Sequence, residues 1–357
     1  MNKLSLRARK FKFVERSKIW FAISGTILLV GIILLCTLGM NLGIDFTGGA
    51  EVSVEIDDAY AATHQAEIDT AIQEVFAEYK LNPESAQFSS IGDGKSFEYK
   101  FQLKVDGKKV SDKEFTTLFN GDKNDDTSNG IVGAIQDKIL AIEEIGLDAD
   151  ENFVYYHAVT GSASADLIKN TFLAVAIAAV LILIYIAFRF TFSTGLAAVV
   201  CLLHDVCIMV ALAIICRIQV NASFVAACIT IIGYSINATI VIFDRVRENS
   251  KSSMFRDASP EQIANTSIAQ TMTRSLYTTL TTMFTIVALA FIPSLRDFAL
   301  PIVFGLLAGA YSSIFLSASL WVAFTKLGKK LLKEKNTYKG KKKAQAKSVD
   351  PWEKPNK

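Results

Sequence analysis

The chain has 357 residues, 51% of them hydrophobic, and a formal net charge of only +2. Its mean hydropathy of +0.33 is too high for an ordinary soluble protein, and that class is excluded. The small net charge hides basic ends and an acidic segment between the first two apolar runs.

The first 18 residues carry Lys3, Arg7, Arg9, Lys10, Lys12, Arg16 and Lys18 against one acid, Glu15. An apolar run over Ile19–Leu38 follows, long enough to cross a bilayer as a helix, which takes about 20 residues. It exceeds a signal-peptide core and no small-residue cleavage site follows, so it reads as a retained anchor. The segment GIDFTGG comes directly after, with Gly43, Asp45, Phe46, Gly48 and Gly49. Its glycines suit a tight turn or close backbone packing; a plain strand-entry turn is the simpler reading. Without a Gly-Lys-Ser/Thr ending it is no phosphate loop.

Residues 39–170 form an acidic insert without arginine. Glu51–Ile56 alternates as a strand, and His64–Lys80 carries the apolar stripe of a helix. Gln87–Ile91 and Phe97–Val105 read as strands joined by the turn Gly92-Asp93-Gly94. Ile131–Ile145 predicts a second helix and Phe153–Val159 a last strand, with Asp106–Gly130 a polar excursion. The order β-α-β-β-α-β predicts a ferredoxin-like α+β domain with one sheet face open for contacts. His64 and His157 are isolated, and read as surface or edge residues rather than metal ligands.

Five further spans are expected, over Thr171–Phe188, Thr194–Ile215, Asn221–Phe243, Thr273–Ile292 and Phe298–Thr325. The fold class is therefore a polytopic α-helical membrane protein of six transmembrane helices. Its α+β domain lies between helices 1 and 2. Residues 171–325 hold helices 2–6, and 326–357 form a Lys-rich tail. Lys and Arg favour the cytoplasmic side of short loops, so both termini are placed there and the insert outside. All five cysteines lie in or beside apolar spans and read as small buried hydrophobes.

His204-Asp205 sits in mid-span, where an ionisable group is costly and faces the bundle interior or water. A proton relay, an interhelical pin and a protonated, hydrogen-bonded acid all remain open. In the fourth span Gly233, Asn237, Val241 and Asp244 recur at helical spacing. There Gly233 permits close helix approach and Asn237 can bond across an interface. Asp244, Arg245, Arg247 and Glu248 mark the span's cytoplasmic exit, most simply as a stop signal. Thr271, Arg274, Thr278, Thr281 and Thr282 make a polar stripe on the fifth span, expected to face the bundle interior unless Arg274 snorkels. Gly305, Gly309 and Ser313 form a small-residue packing face on the sixth.

These motifs together resemble the SecF family, membrane subunits of the bacterial SecDF protein-export complex in the resistance-nodulation-division superfamily. The resemblance rests on GIDFTGG, His204-Asp205, GYSIN with FDRVREN, and the stripe from Gln270 to Thr282. It runs from Phe13 to about Lys330. It implies partnership with SecD and the SecYEG channel, contact with a translocating preprotein and membrane lipid, and proton-motive-force-assisted export after the ATPase SecA. It also implies a multi-pass protein of the bacterial inner membrane. Arg274 matches the family's fifth-span arginine, whereas the family's fourth-span Asp is replaced by Ala238. Asp205, His204, Asn237, Arg274 and Thr278 are the candidates for a proton relay or intramembrane polar network. The alternatives are a small-molecule or lipid exporter of the same superfamily, or a scaffold that carries no protons. No enzymatic activity, cofactor, metal or nucleic-acid partner is expected.

Overall fold

The computed structural model describes residues 12–91, 94–121, 130–142, 152–292 and 295–330. Expectations for the basic residues 1–11, the turn at 92–93, the helix end at 143–145 and the tail from 331 lie outside them.

Helix α1 (Ser17–Leu38) ends at Gly39, whose φ of +67° releases the chain from helical geometry. A single turn, α2 (Ile44–Thr47), leads into strand β1 (Gly49–Asp57). Helix α3 (Asp58–Glu78) departs from helical geometry at His64, and strands β2 (Ser85–Ile91) and β3 (Gly94–Gln102) follow. A small ladder, β4 (Lys104–Val105) with β5 (Lys108–Lys109), precedes helix α4 (Asp112–Asn120). Helix α5 (Gly130–Leu140) and strand β6 (Val154–Val159) complete the insert.

The sheet order is β2-β3-β1-β6, antiparallel throughout. Alternation along β1 sends Ala50, Val52, Val54 and Ile56 to one face, where they are buried with Ile68, Ile72 and Phe76 of α3 and Ile131 and Ile135 of α5. The stretch read as a polar excursion is structured in part. Ser111 and Glu114 form a capping box at the start of α4, and Phe115 and Phe119 bury into the same core.

Among the described residues, five helices are long and apolar enough to cross a membrane. They are α1, α6 (Gly161–Arg189), α7 (Phe192–Ile215), α8 (Ala222–Lys251) and α10 (Arg296–Lys330). Helix α6 starts at Gly161 rather than Thr171, because Thr160 accepts from Ala163 N and caps it as β6 ends. The span expected over Thr273–Ile292 falls on α9 (Pro260–Leu289) and the turn after it, and α9 packs between α8 and α10. Its threonines and Arg274 keep it less apolar than the five. Pro260 in its first turn and a Ser259–Gln262 capping box set its start.

Helix α10 is the most buried of the candidate spans and α6 the least. Gly305 of α10 lies against Ile231 of α8, where an added Cβ would sit 2.5 Å from Ile231 Cγ1. Gly31 of α1 gives Ala211 of α7 the same close approach, at 2.6 Å. Gly233 plays no such part: it is exposed, with nothing within 4 Å of an added Cβ. The cysteines also depart from expectation. Cys201 is buried, but Cys36 and Cys207 are exposed on outward faces of their helices and Cys216 is exposed just past the end of α7. In an apolar solvent such a side chain gains nothing by pointing inward.

Candidate functional site in the helix bundle

Asp205, in the middle of α7, is fully buried, and hydrogen bonds from three other residues converge on it. Ser235 Oγ of α8 donates to Oδ2 at 2.5 Å, and Ser312 Oγ of α10 donates to the same oxygen at 2.7 Å. His204 Nδ1 lies 2.8 Å from Oδ1, and His204 Nε2 lies 2.9 Å from Ser24 Oγ on α1. The ring of Tyr311 stacks on His204 while its hydroxyl donates to Trp20 O at 2.6 Å. A continuous polar chain thus links α8, α10, α7 and α1 through the interior. Its acid can pass a proton to either side, or hold the four helices in register. Just beyond Ser312, α10 widens into a π turn over Ser313–Ser317. Such turns concentrate at functional sites.

Ser24 and Ser312 were not singled out in the sequence. Their signal was a serine in an otherwise apolar span, where a hydroxyl needs a partner.

The remaining candidates lie on the other side of Ser235. Asn237, Arg274 and Thr278 line a groove between α8, α9 and α10, with Ala238 and Thr282. Ser235 and Gly309 form its floor, and an added Cβ on Gly309 would stand 3.6 Å from Asp205 Oδ2. The groove and the buried acid are therefore separated by a single layer. The polar stripe does not face the interior of this chain's bundle, as its pattern led us to expect. Thr271 and Ser275 are buried, but Arg274, Thr278 and Thr281 are exposed. Arg274 forms no ion pair, and Asn237 no side-chain hydrogen bond, among the described residues. Thr278 and Thr282 donate back to the Arg274 and Thr278 carbonyls at 3.0 and 3.1 Å, satisfying their own protons only.

Asp244, Arg245, Arg247 and Glu248 do more than end a span. Arg189 Nη2 of α6 donates to both carboxylate oxygens of Asp244 at 2.8 Å each. Arg245 Nε donates to Gln270 Oε1 of α9 at 2.5 Å and its Nη1 to Glu248 at 2.6 Å. Asn249 Nδ2 reaches Ser267 Oγ and Gln270 Oε1, both at 2.9 Å. The motif thus ties α8 to α6 and α9. Arg247 takes no part in these pairs.

The GIDFTGG segment joins the inserted domain to the bundle. Gly43 N donates to Val220 O at 2.8 Å, and Val220 N donates to Asn41 O at 2.7 Å. Asp45 Oδ2 accepts from Ala222 N at 2.8 Å, at the start of α8, where a carboxylate is favoured. Phe46 packs against the core around Phe224 and Ile302. Gly49 has φ +154°, and an added Cβ would lie 1.9 Å from Phe101 O across the β1–β3 ladder. No side chain fits there.

The polar sheet face, with Glu51, Glu98, Lys100 and His157, closes a cleft of about 280 Å³ against Gln219, Asn221, Arg296 and Asp297. Lys100 hydrogen-bonds Gln219 and pairs with Glu51 at 3.5 Å. Burial raises the Glu98 carboxyl above its ordinary range, and Glu51 adds to this while Lys100 opposes it. His157 borders this cleft, whereas His64 stacks on Tyr60. No metal-ligand cluster occurs among the described residues.

Apolar helices around a buried carboxylate, joined to an α+β insert after the first helix, define a multi-pass membrane protein. Residues 142–327 match the family described as protein export membrane protein SecD/SecF, C-terminal, and residues 33–59 match the SecD/SecF GG motif. The chain belongs to this SecD/SecF family of the Sec protein-transport pathway, on its SecF side. It is 32% identical to the SecF translocase subunit of Acidaminococcus fermentans, covering 89% of this chain and 98% of that one. It is also 32% identical to the SecDF subunit of Bacillus subtilis, covering 91% of this chain but only 39% of the relative. The crystal structure of Thermus thermophilus SecDF, described as a translocon-associated membrane protein, superposes with a TM-score of 0.67 at 28% identity. It covers 88% of this chain and 39% of that one.

Proposed function

We propose that the chain is the SecF half of a protein translocase that works with SecD and the SecYEG channel. In this reading it completes proton-motive-force-assisted export of a preprotein after SecA. The observation that carries it is the groove of Asn237, Arg274 and Thr278. It is a polar, cationic, mid-helix surface that the described residues leave uncovered. In a bilayer such a surface needs a polar partner, because hydrocarbon offers none. Fused SecDF relatives carry more than twice the matched length in one chain. A separate SecD supplies the missing half here.

In the same reading α9 is the sixth span, held by α8 and α10 despite its threonines. The strand order, in which the first and third strands are central and the second and fourth form the edges, supports a ferredoxin-like fold for the insert. Both termini are cytoplasmic and the insert is external. Asp205 and His204 form the buried part of the intramembrane polar network, and Asn237, Arg274 and Thr278 present its exposed part to SecD.

Mild detergent extraction from native membranes tests this. Recovery of SecD and SecYEG is expected, with Thr278→Cys cross-linking to SecD. Isolation of the chain alone, with small-molecule efflux on its expression, would instead favour an exporter. A second reading rests on Ala238, which lines the groove where the family pattern has a carboxylate. It makes this half a scaffold, with the transported proton carried on SecD.

A further inference from the structure

Four helix ends meet in a cleft on the side of the bundle remote from the inserted domain. The last turn of α6 and first of α7 contribute Phe188 to Thr191 with Ser193 and Thr194, α8 contributes Arg247, Ser250 and Lys251, and α10 contributes Trp321 and Thr325. The cleft measures about 550 Å³, within the range of small-molecule sites.

Its lining is of two kinds. Arg247 and Lys251 stand one helical turn apart on α8, and neither pairs with an acid among the described residues. Arg189 also borders the cleft, but its charge is taken up by Asp244. Two uncompensated cations therefore remain. Ser193 adds a hydroxyl with no protein partner among the described residues. The rest of the lining is aromatic, with Phe190, Trp321 of α10 and Phe243 one turn before Arg247 on α8, and Phe188 stands 91% exposed at the rim. Phe192, 86% exposed, lies just beyond. Exposed phenyl rings beside cations at the ends of apolar helices suit the depth where acyl chains meet headgroups.

We propose that this cleft binds the phosphate headgroup of an anionic phospholipid from the surrounding bilayer. Arg247 and Lys251 hold the phosphate, and the aromatic wall takes the first carbons of the acyl chains. Inorganic phosphate would satisfy the cations, but it leaves the aromatic wall without a ligand. Basic pockets between helix ends are suited to such headgroups.

The full chain in neutral detergent is titrated with phosphatidylglycerol, phosphatidylcholine and inorganic phosphate, and adducts are read by native mass spectrometry. Phosphatidylglycerol is expected to be retained in preference to phosphatidylcholine, and not displaced by inorganic phosphate. The double substitution Arg247→Gln/Lys251→Gln should weaken it roughly 30-fold. The control Lys104→Gln/Lys108→Gln, on the inserted domain, should leave it unchanged. Equal retention of the two lipids, unchanged binding by the Arg247/Lys251 variant, or displacement by inorganic phosphate would overturn the proposal. Should that variant fail to fold, Ser250→Glu sets a negative charge in the same cleft. Loss of phosphatidylglycerol supports the site, and unaltered binding refutes it.

Discussion

Ser235 donates to Asp205 Oδ2 at 2.5 Å, and the same serine forms the floor of the Asn237–Arg274 groove. The contact makes one residue both the wall of an exposed polar surface and the partner of a fully buried acid. Any charge placed in the groove is felt at Asp205 through one hydroxyl, in surroundings too apolar to screen it. On the far side His204 and Ser24 extend the chain to α1. The acid is thus the midpoint of a hydrogen-bonded chain.

Asp205→Asn tests whether that path carries protons. Asparagine is nearly isosteric and keeps an acceptor for Ser235 and Ser312, so the complex should assemble and remain stable. Gradient-dependent release of a preprotein from vesicles should be lost, while gradient-independent release persists. Full retention of the gradient dependence would leave Asp205 a structural pin. Asp205→Ala goes further: Ser235 and His204 lose their acceptor, at a cost of about 1–3 kcal/mol for each group left unsatisfied, while Ser312 keeps Gly309 O at 3.3 Å. A lowered thermal midpoint is expected for Ala and not for Asn.

Gly49→Ala should damage the inserted domain. Its φ of +154° and the Phe101 carbonyl leave no room for a Cβ, and the obstacle is backbone, which cannot step aside. The expected cost is at least ~2 kcal/mol. Limited proteolysis should cut the variant within the insert while sparing the helices. A variant as resistant as the parent would show that β1 can shift in register without loss.

Much of this architecture was legible in the residues. Alternation over Glu51–Ile56 and the turn signals around it mark the sheet because period-two burial is local information. The capping box at Ser111–Glu114 with Phe115 and Phe119 was equally local, and was passed over because lysines and acids surround it. The groove was misread for a different reason. Helical spacing tells which residues share a face, but not whether that face meets a helix of the same chain. Arg274 and Thr278 have the stripe of an interior face yet lie on an exterior one. The convergence of Ser24, Ser235 and Ser312 on His204-Asp205 depends on the packing of four helices, and no single span records it.

The cleft under the sheet should respond to pH. Glu98 is held above the ordinary carboxyl range by burial first, then by Glu51, Asp297 and Glu55, with Lys100 opposing. A carboxyl whose folded pKa is raised binds its proton more tightly when folded than when unfolded. Stability therefore increases as pH falls through the folded value toward the unfolded one of 4.5, and is lower above that window. The thermal midpoint of the inserted domain should rise as pH is lowered from neutrality toward 5. Glu98→Gln should raise the midpoint at neutral pH and flatten the dependence. An unchanged slope in that variant would assign the effect to another group.

On the proposed function, Arg274 and Ala238 are the residues whose substitution tests how this half would take part in proton-driven transport. They line the same groove, a cation beside the position where the family pattern has an acid. A guanidinium does not deprotonate at working pH, so Arg274 can serve only as a fixed positive charge. No acid pairs with it among the described residues, and the proposed function places its partner acid on SecD. Arg274→Ala should abolish most gradient-driven release and weaken recovery of SecD. Arg274→Lys should restore recovery better than release, because a point charge replaces a planar fork. Ala238→Asp places an acid beside Arg274 within one chain. It should be tolerated in folding, and should compete with the acid on SecD for the same guanidinium. Reduced cross-linking between Thr278→Cys and SecD in that background, measured against unaltered expression, is the expected result. If Arg274→Ala leaves gradient-driven release intact, the groove is a packing surface and the positive charge has no part in coupling.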